Sequence, residues 1–167
     1  EYDKHYQEFI SKSARNNNIS EQKMAIHTVN KIVAKSKVKG VIELIETILL
    51  DEDTNIIDGK EVSSKKKVAV FTTYTEPIAM LKEHFKDRCV TLDGSVDTNK
   101  RMDVVREFKN NPKVDLFIGQ TAAAGEALNM TFCNECILLN FTLTRNEIDQ
   151  ITDRFHRIGL KKMLNVY

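Results

Sequence analysis

The chain has 167 residues, enough for one domain with an appendage, and its 41% hydrophobic content can fill a real core. Lysine and arginine total 25 against 24 acidic residues, so no global basic footprint marks a simple electrostatic nucleic-acid binder, though a protein touching a few phosphates stays allowed. No apolar run approaches a membrane span, the N-terminus lacks signal-peptide character, and an odd count of three cysteines reads as reduced, intracellular thiols.

Residues 1 to about 50 read as helical. Tyr6, Phe9 and Ile10 sit at helical spacing, Asn16-Asn17-Asn18 interrupts, and Ser20 is placed to cap a second helix bearing Met24, Ile26, Val29, Ile32 and Val33. Val41, Ile42, Leu44, Ile45, Ile48 and Leu49 form a further amphipathic helix. Residues 51–67, with an acidic run, Asp58-Gly59 and a basic run, read as a surface loop or linker. Its lysines Lys65 to Lys67 are solubilising or within reach of a phosphate.

From Lys67 the character changes. Val68-Ala69-Val70-Phe71 is a short apolar run of the kind found in buried strands. A helix is expected from about Glu76 to Phe85, a strand at Val90-Thr91-Leu92, and a helix from Thr98 to Phe108. A strand follows at Asp115-Leu116-Phe117-Ile118, then a small-residue turn and short helix over Ala122 to Leu128. Strand Ile137-Leu138-Leu139, helix Glu147 to Arg157 and strand Leu164-Asn165-Val166-Tyr167 complete the series. Strands alternating with amphipathic helices predict an α/β fold, a parallel sheet flanked by helices on both faces, over 67–167, with 1–66 a helical extension and linker. In such sheets function sits on the loops leaving the carboxyl ends of the strands. The polar clusters fall there: Thr72-Thr73, Asp93-Gly94-Ser95 and Gly119-Gln120-Thr121. Arg101 is expected to make a structural bond near the Asp93-Gly94 turn. Cys133 and Cys136 have CxxC spacing, but a structural zinc needs a second pair, so burial beside a strand is the expectation and no metal site is assigned.

Near the end, Gln150, Arg154 and Arg157 follow at intervals of four and three, which on a helix share one face. Two guanidiniums aimed together repel unless something anionic lies between them, and a triphosphate undergoing hydrolysis is such a group. Yet no phosphate-cradling Gly-Lys-Ser/Thr loop occurs, and no Asp-Glu pair follows an apolar strand. The chain carries half of a site.

These residues resemble a known family. From about Lys66 to Tyr167 the chain is similar to the second RecA-like lobe of superfamily-two helicases, most closely the Swi/Snf-type DNA-dependent ATPases. Val70-Phe71-Thr72-Thr73-Tyr74-Thr75 resembles motif IV. Leu92-Asp93-Gly94-Ser95, with Arg101 and Phe108, resembles the stretch after it. Thr121 to Met130 resembles motif V, and Gln150 to Gly159 motif VI. The resemblance implies that Arg157 is an arginine finger reaching a γ-phosphate and that Arg154 supports that phosphate or the interface. It implies that Gln150, Asn129 and Gly125 lie by the nucleotide, and that Thr72, Thr73 and Thr121 touch the DNA backbone. ATP and Mg would be bound mainly by an N-terminal RecA-like lobe of the same protein, the track would be duplex DNA, and the piece alone would not hydrolyse ATP. The family's first and third motif V glycines are Ala124 and Ala127 here, and Leu160 stands where a Gln usually follows Arg-x-Gly. The alternative implied by those departures is a degenerate lobe serving as a DNA- or protein-docking module.

Overall fold

The computed structural model describes residues 19–57, 60–124, 128–140, 145–155 and 162–167. Tyr6, Phe9, Gly125, Ala127, His156 and Arg157 lie outside them.

Ile19–Leu50 form one α-helix, α1, where two were expected. The stretch joining the expected halves holds no proline, and its lone Gly40 costs only about 1 kcal/mol of helix propensity. Ala34, Val38, Val41, Ile45 and Ile48, at alternating steps of four and three, are all buried, whereas Met24 and Ile26 nearer the N-terminus are exposed.

Residues 52–65 also depart from expectation. They form an antiparallel hairpin, β1 (Glu52–Ile57) with β2 (Lys60–Lys65), rather than a loop. The acidic and basic ends of the segment face one another, with Glu52 opposite Lys65, and Ser63 donates to the Glu52 carboxylate. Asp-Gly between two short runs is a strong hairpin signal, here masked by the polarity of both strands.

A five-stranded parallel sheet follows. In chain order come β3 (Val68–Thr72), α2 (Thr75–Phe85), β4 (Cys89–Leu92), α3 (Thr98–Asn110), β5 (Leu116–Gln120) and α4 (Thr121–Ala124), then β6 (Glu135–Leu138), α5 (Arg145–Thr152) and β7 (Asn165–Val166). The spatial order is β4-β5-β3-β6-β7, every pair parallel. The expected strands and helices are therefore present, with ends shifted by one to a few residues.

Side chains alternate across a strand, so each buried strand feeds two cores. Val68, Val70, Leu116, Ile118 and Ile137 pack with α1 and α2. Ala69, Phe71, Phe117 and Cys136 pack on the other face with Val105 and Phe108 of α3, Leu128, Met130, Ile151 and Phe155. Crossover handedness explains the division. Parallel connections are right-handed, so the direction of travel across the sheet decides which face a connection covers. The connections after β4, β5 and β6 all run one way, and only the one after β3 runs the other. One face would thus have α2 as its sole crossover helix, and α1 completes that cover. Ile45→Ala, at a position with no exposed surface, is expected to cost about 2–5 kcal/mol, read from the urea midpoint. A loss below about 1 kcal/mol would mean that α1 is dispensable to the core.

Polar groups fix the same contacts. Arg88 donates through Nε and Nη2 to Asp115 (3.2 and 3.1 Å) and through Nη1 to Glu46 of α1 (3.1 Å), tying the helix to the sheet. Lys67 is not placed for a phosphate. Its Nζ donates to the carbonyls of Phe108 (2.6 Å), Asn111 (3.1 Å) and Val114 (2.6 Å), capping the end of α3. Burial lowers the Lys67 pKa, but three carbonyl acceptors call for the three N–H donors that only the ammonium offers. At the amino end of β6 the buried Glu135 carboxylate accepts from Asn165 Nδ2 (3.1 Å) and Tyr167 Oη (3.1 Å), with Lys66 Nζ at 3.7 Å, which anchors β7. Cys133, just before that strand, and Cys136, within it, are buried thiols outside any disulfide, and burial pushes the Cys136 thiol far above its ordinary range.

Candidate functional site

In a parallel sheet the carboxyl ends of all strands share one edge, and here β3, β4, β5 and β6 bring four polar turns together. Thr72 stands beside Gln120 in the register, Leu92 beside Gly119 and Phe71 beside Leu138. Just past those positions the side chains interlock. The Thr73 N–H donates to Asn140 Oδ1 (3.0 Å), and Asn140 Nδ2 donates to Thr73 Oγ1 (2.9 Å). Gln120 Nε2 donates to the Thr73 carbonyl (3.2 Å), and Gln120 Oε1 accepts from the Gly94 N–H (3.1 Å).

The three threonines assigned to DNA differ in access. Thr72 has no exposed surface, and its Oγ1 accepts from the Tyr74 N–H (3.3 Å), which bends the chain into α2. A direct backbone contact by Thr72 does not fit this geometry, because an inward strand residue at this register belongs to the sheet. Thr73, one residue on, is half-buried at the rim. Thr121 opens α4 at the end of β5, and its buried Oγ1 has no hydrogen-bond partner among the described residues. Gly119 is required by packing: a Cβ there would lie 2.8 Å from the Phe117 ring and 3.0 Å from that of Phe71.

Arg101 donates to the carbonyls of Val96 (3.5 Å) and Ala123 (3.3 Å), which joins the loop after β4 to α4, the structural role expected of it. In that loop Asp93 Oδ1 accepts from Ser95 Oγ and from Ser95 N (2.9 Å), and these bonds hold its carboxyl below the usual carboxylate range. A depressed folded-state value contributes stability at pH above the unfolded value near 3.8, and that stability is lost as pH falls through the lower folded value. The stability difference between the parent and Asp93→Ala is therefore expected to persist at neutral pH and to shrink below pH 3.8, measured by thermal melts across acid pH.

The second part of the site surrounds α5. This helix ends at Thr152, well short of Arg157. Beyond it the Arg154 and Phe155 N–H groups donate three residues back, to Ile151 O and Thr152 O (each 3.0 Å), so the chain tightens into a turn. The Thr152 hydroxyl also bonds the carbonyls of Ile148 and Asp149. The tightening swings Phe155 into the core, where it has no exposed surface and meets Phe71 edge-on at 6.1 Å. Gln150 and Arg154 are consequently not on one continuous helical face: Gln150 is exposed on α5, and Arg154 is half-buried in the turn.

That turn is joined to the motif V segment. The Met130 N–H donates to the Arg154 carbonyl (3.0 Å), so the exposed Asn129 stands next to it, with Oδ1 accepting from Thr131 N (3.3 Å). Asn129 also borders a groove of about 340 Å³ lined with Met102, Val105, Lys109 and Phe132. The structure thus brings Asn129 to the Arg154 turn and sets Thr73 beside Gln120 and Asn140. Gly125 and Arg157 lie outside the described residues. Asn140 was missed in the sequence, although a polar residue directly after the apolar Ile137-Leu138-Leu139 was the available signal.

A five-stranded parallel sheet, helix-covered on both faces and polar along its carboxyl edge, defines a RecA-like lobe. Residues 37–159 match the helicase conserved C-terminal domain family, and the chain belongs to it. It is 25% identical over 148 residues to the TATA-binding protein-associated factor BTAF1 of Arabidopsis thaliana, a match covering 85% of this chain and 7% of that protein. Among solved structures it is similar to the C-terminal part of the Fun30 ATPase domain, with TM-score 0.63, 25% identity, and coverage of 78% of this chain and 39% of that one. The Sulfolobus solfataricus SWI2/SNF2 ATPase core in complex with dsDNA shares the fold, with TM-score 0.69 at 20% identity, covering 99% and 36%. The chain thus spans a small fraction of the curated relatives it matches, and these neighbours place it with C-terminal lobes of the Swi/Snf type.

Proposed function

We propose that this lobe completes the ATPase site of a DNA-translocating motor whose ATP and Mg are held by an N-terminal RecA-like lobe of the same protein. Arg157 meets the γ-phosphate, Arg154 supports the arginine turn, and Gln150, Asn129 and Gly125 face the nucleotide. Thr73 holds the DNA backbone from the rim, with the buried Thr72 and Thr121 shaping the turns beneath it. Contacts of this kind position a duplex without reading its sequence. The setting is intracellular.

The observation that carries this reading is the Met130–Arg154 bond, which docks the motif V segment against the arginine turn in a chain that has no phosphate loop. Two segments far apart in sequence meet at one place, each bearing groups suited to a nucleotide, while the groups that would hold the nucleotide alone are absent from the sequence. Hydrolysis then requires the lobes to close, and closure can shift two DNA-gripping surfaces relative to one another.

The 167-residue chain by itself is expected to turn over no ATP above background in a phosphate-release assay, and addition of the N-terminal lobe is expected to restore turnover. Arg157-dependent hydrolysis by the chain alone would contradict the half-site assignment. Ala124 and Ala127 in motif V favour a second reading, a degenerate lobe that docks DNA or protein. An upstream phosphate-loop lysine and acidic pair in the full reading frame would separate the two.

A further inference from the structure

We infer that Gln120 and Asn140 are positioning residues that aim the Thr73 hydroxyl outward as a donor to a nucleic-acid phosphate, an inference resting on the reading of Thr73 as a DNA backbone contact. Thr73 has three polar groups. Its N–H is taken by Asn140 Oδ1 at 3.0 Å and its carbonyl by Gln120 Nε2 at 3.2 Å. Its hydroxyl oxygen receives Asn140 Nδ2 at 2.9 Å. A hydroxyl has two acceptor sites and one hydrogen, so the bond from Asn140 leaves the O–H to find an acceptor elsewhere. Phosphate oxygens only accept, which makes a directed donor the matching group at this edge.

Both amide orientations are fixed by their partners, since a backbone N–H can only donate and a carbonyl can only accept. Asn140 is 5% exposed, so these bonds form where water competes little. Gln120 adds a spacing function. By bonding Gly94 N and Thr73 O with opposite ends of one side chain, it fixes the turn after β4 relative to the turn after β3. Both turns lie beside β5, the strand that ends in Gln120 itself. None of these groups is charged, so they supply direction rather than affinity at a distance.

The test is a double-mutant cycle on the 167-residue chain, with binding to a fluorescent DNA duplex read by anisotropy at low salt and folding read by thermal melts. Thr73→Val removes the donor and keeps the shape. It is expected to weaken binding by about tenfold, the scale of a hydrogen bond to a charged group. Asn140→Ala is expected to weaken it by a similar factor, and the double variant by no more than about twofold beyond either single change. Additive losses would overturn the inference while leaving the Thr73 contact intact, because Asn140 would then act on binding by another route. Unchanged affinity in Thr73→Val, or no duplex binding by the parent, would sink the DNA contact itself. If Asn140→Ala does not fold, the same cycle with Gln120→Ala, a half-buried position, decides: a Gln120 effect that vanishes in the Thr73→Val background supports the assignment, and one that persists overturns it.

Discussion

In the two-lobe protein, Arg157→Ala is expected to lower ATP turnover by about three to five orders of magnitude while leaving ATP affinity nearly unchanged. On the proposed reading the two readouts separate, because ATP would be held by the opposite lobe whereas the finger would meet charge that develops as the phosphoryl group transfers. The turn at Arg154 and Phe155 would be the base of such a finger. Phe155, two residues earlier, is fully buried, and the Arg154 carbonyl is bonded to Met130 N, so the residues just before Arg157 are held at a fixed point. Arg157→Lys is expected to restore little, because an ammonium cannot reproduce the planar fork of donors. Arg154→Ala is expected to cost less than Arg157→Ala, since Arg154 is half-buried within the turn. Single-turnover hydrolysis and an equilibrium nucleotide titration measure the two quantities. Turnover within tenfold of the parent would remove Arg157 from the central role.

The sheet was legible because its strands are buried on both faces and therefore read as unbroken apolar runs. Val68 to Phe71 and Leu116 to Ile118 stand out against polar flanks for that reason. The hairpin at 52–65 was not, because its signals are a turn dipeptide and facing charges, which a polar linker shares. The continuity of α1 was hidden by the polar stretch around Lys35-Ser36-Lys37, where side chains point away from a stripe that the sheet, not the helix itself, makes sense of. At the site, motif order picked out turns that meet at the carboxyl edge of the sheet but could not rank neighbours within them. Thr72 and Thr73 are alike in sequence, yet the pleat sends one hydroxyl inward and leaves the other at the edge. Helical periodicity likewise carried Gln150 and Arg154 onto one face. The demand of Phe155 for a place in the core overrode it, a tertiary effect absent from any local pattern.

That same aromatic ring carries the largest expected effect on stability. Phe155→Ala is expected to destabilise the fold by about 3–5 kcal/mol. Phe155 meets Phe71 at 6.1 Å and an interplanar angle of 88°, Phe71 meets Phe117 at 5.9 Å, and Phe117 meets Phe108 at 5.6 Å. Gly119 lets these rings approach the β5 backbone, so the cluster is already close-packed and cannot collapse into a void without moving a strand. Truncation would leave a cavity flanked by Leu128, Met130 and Ile151 of the same core. Urea unfolding measures it, as a lower midpoint at an unchanged slope. Phe155→Leu keeps most of the volume and is expected to cost less than the alanine, which leaves the fold intact for kinetics. In the two-lobe protein this variant is expected to lower turnover without much weakening ATP binding, because the anchor beneath the arginine turn is loosened while ATP would be held mainly by the opposite lobe. A Phe155→Leu protein that melts early but hydrolyses ATP at the parent rate would show that the buried ring holds the sheet together without setting the position of the arginines on either side of it.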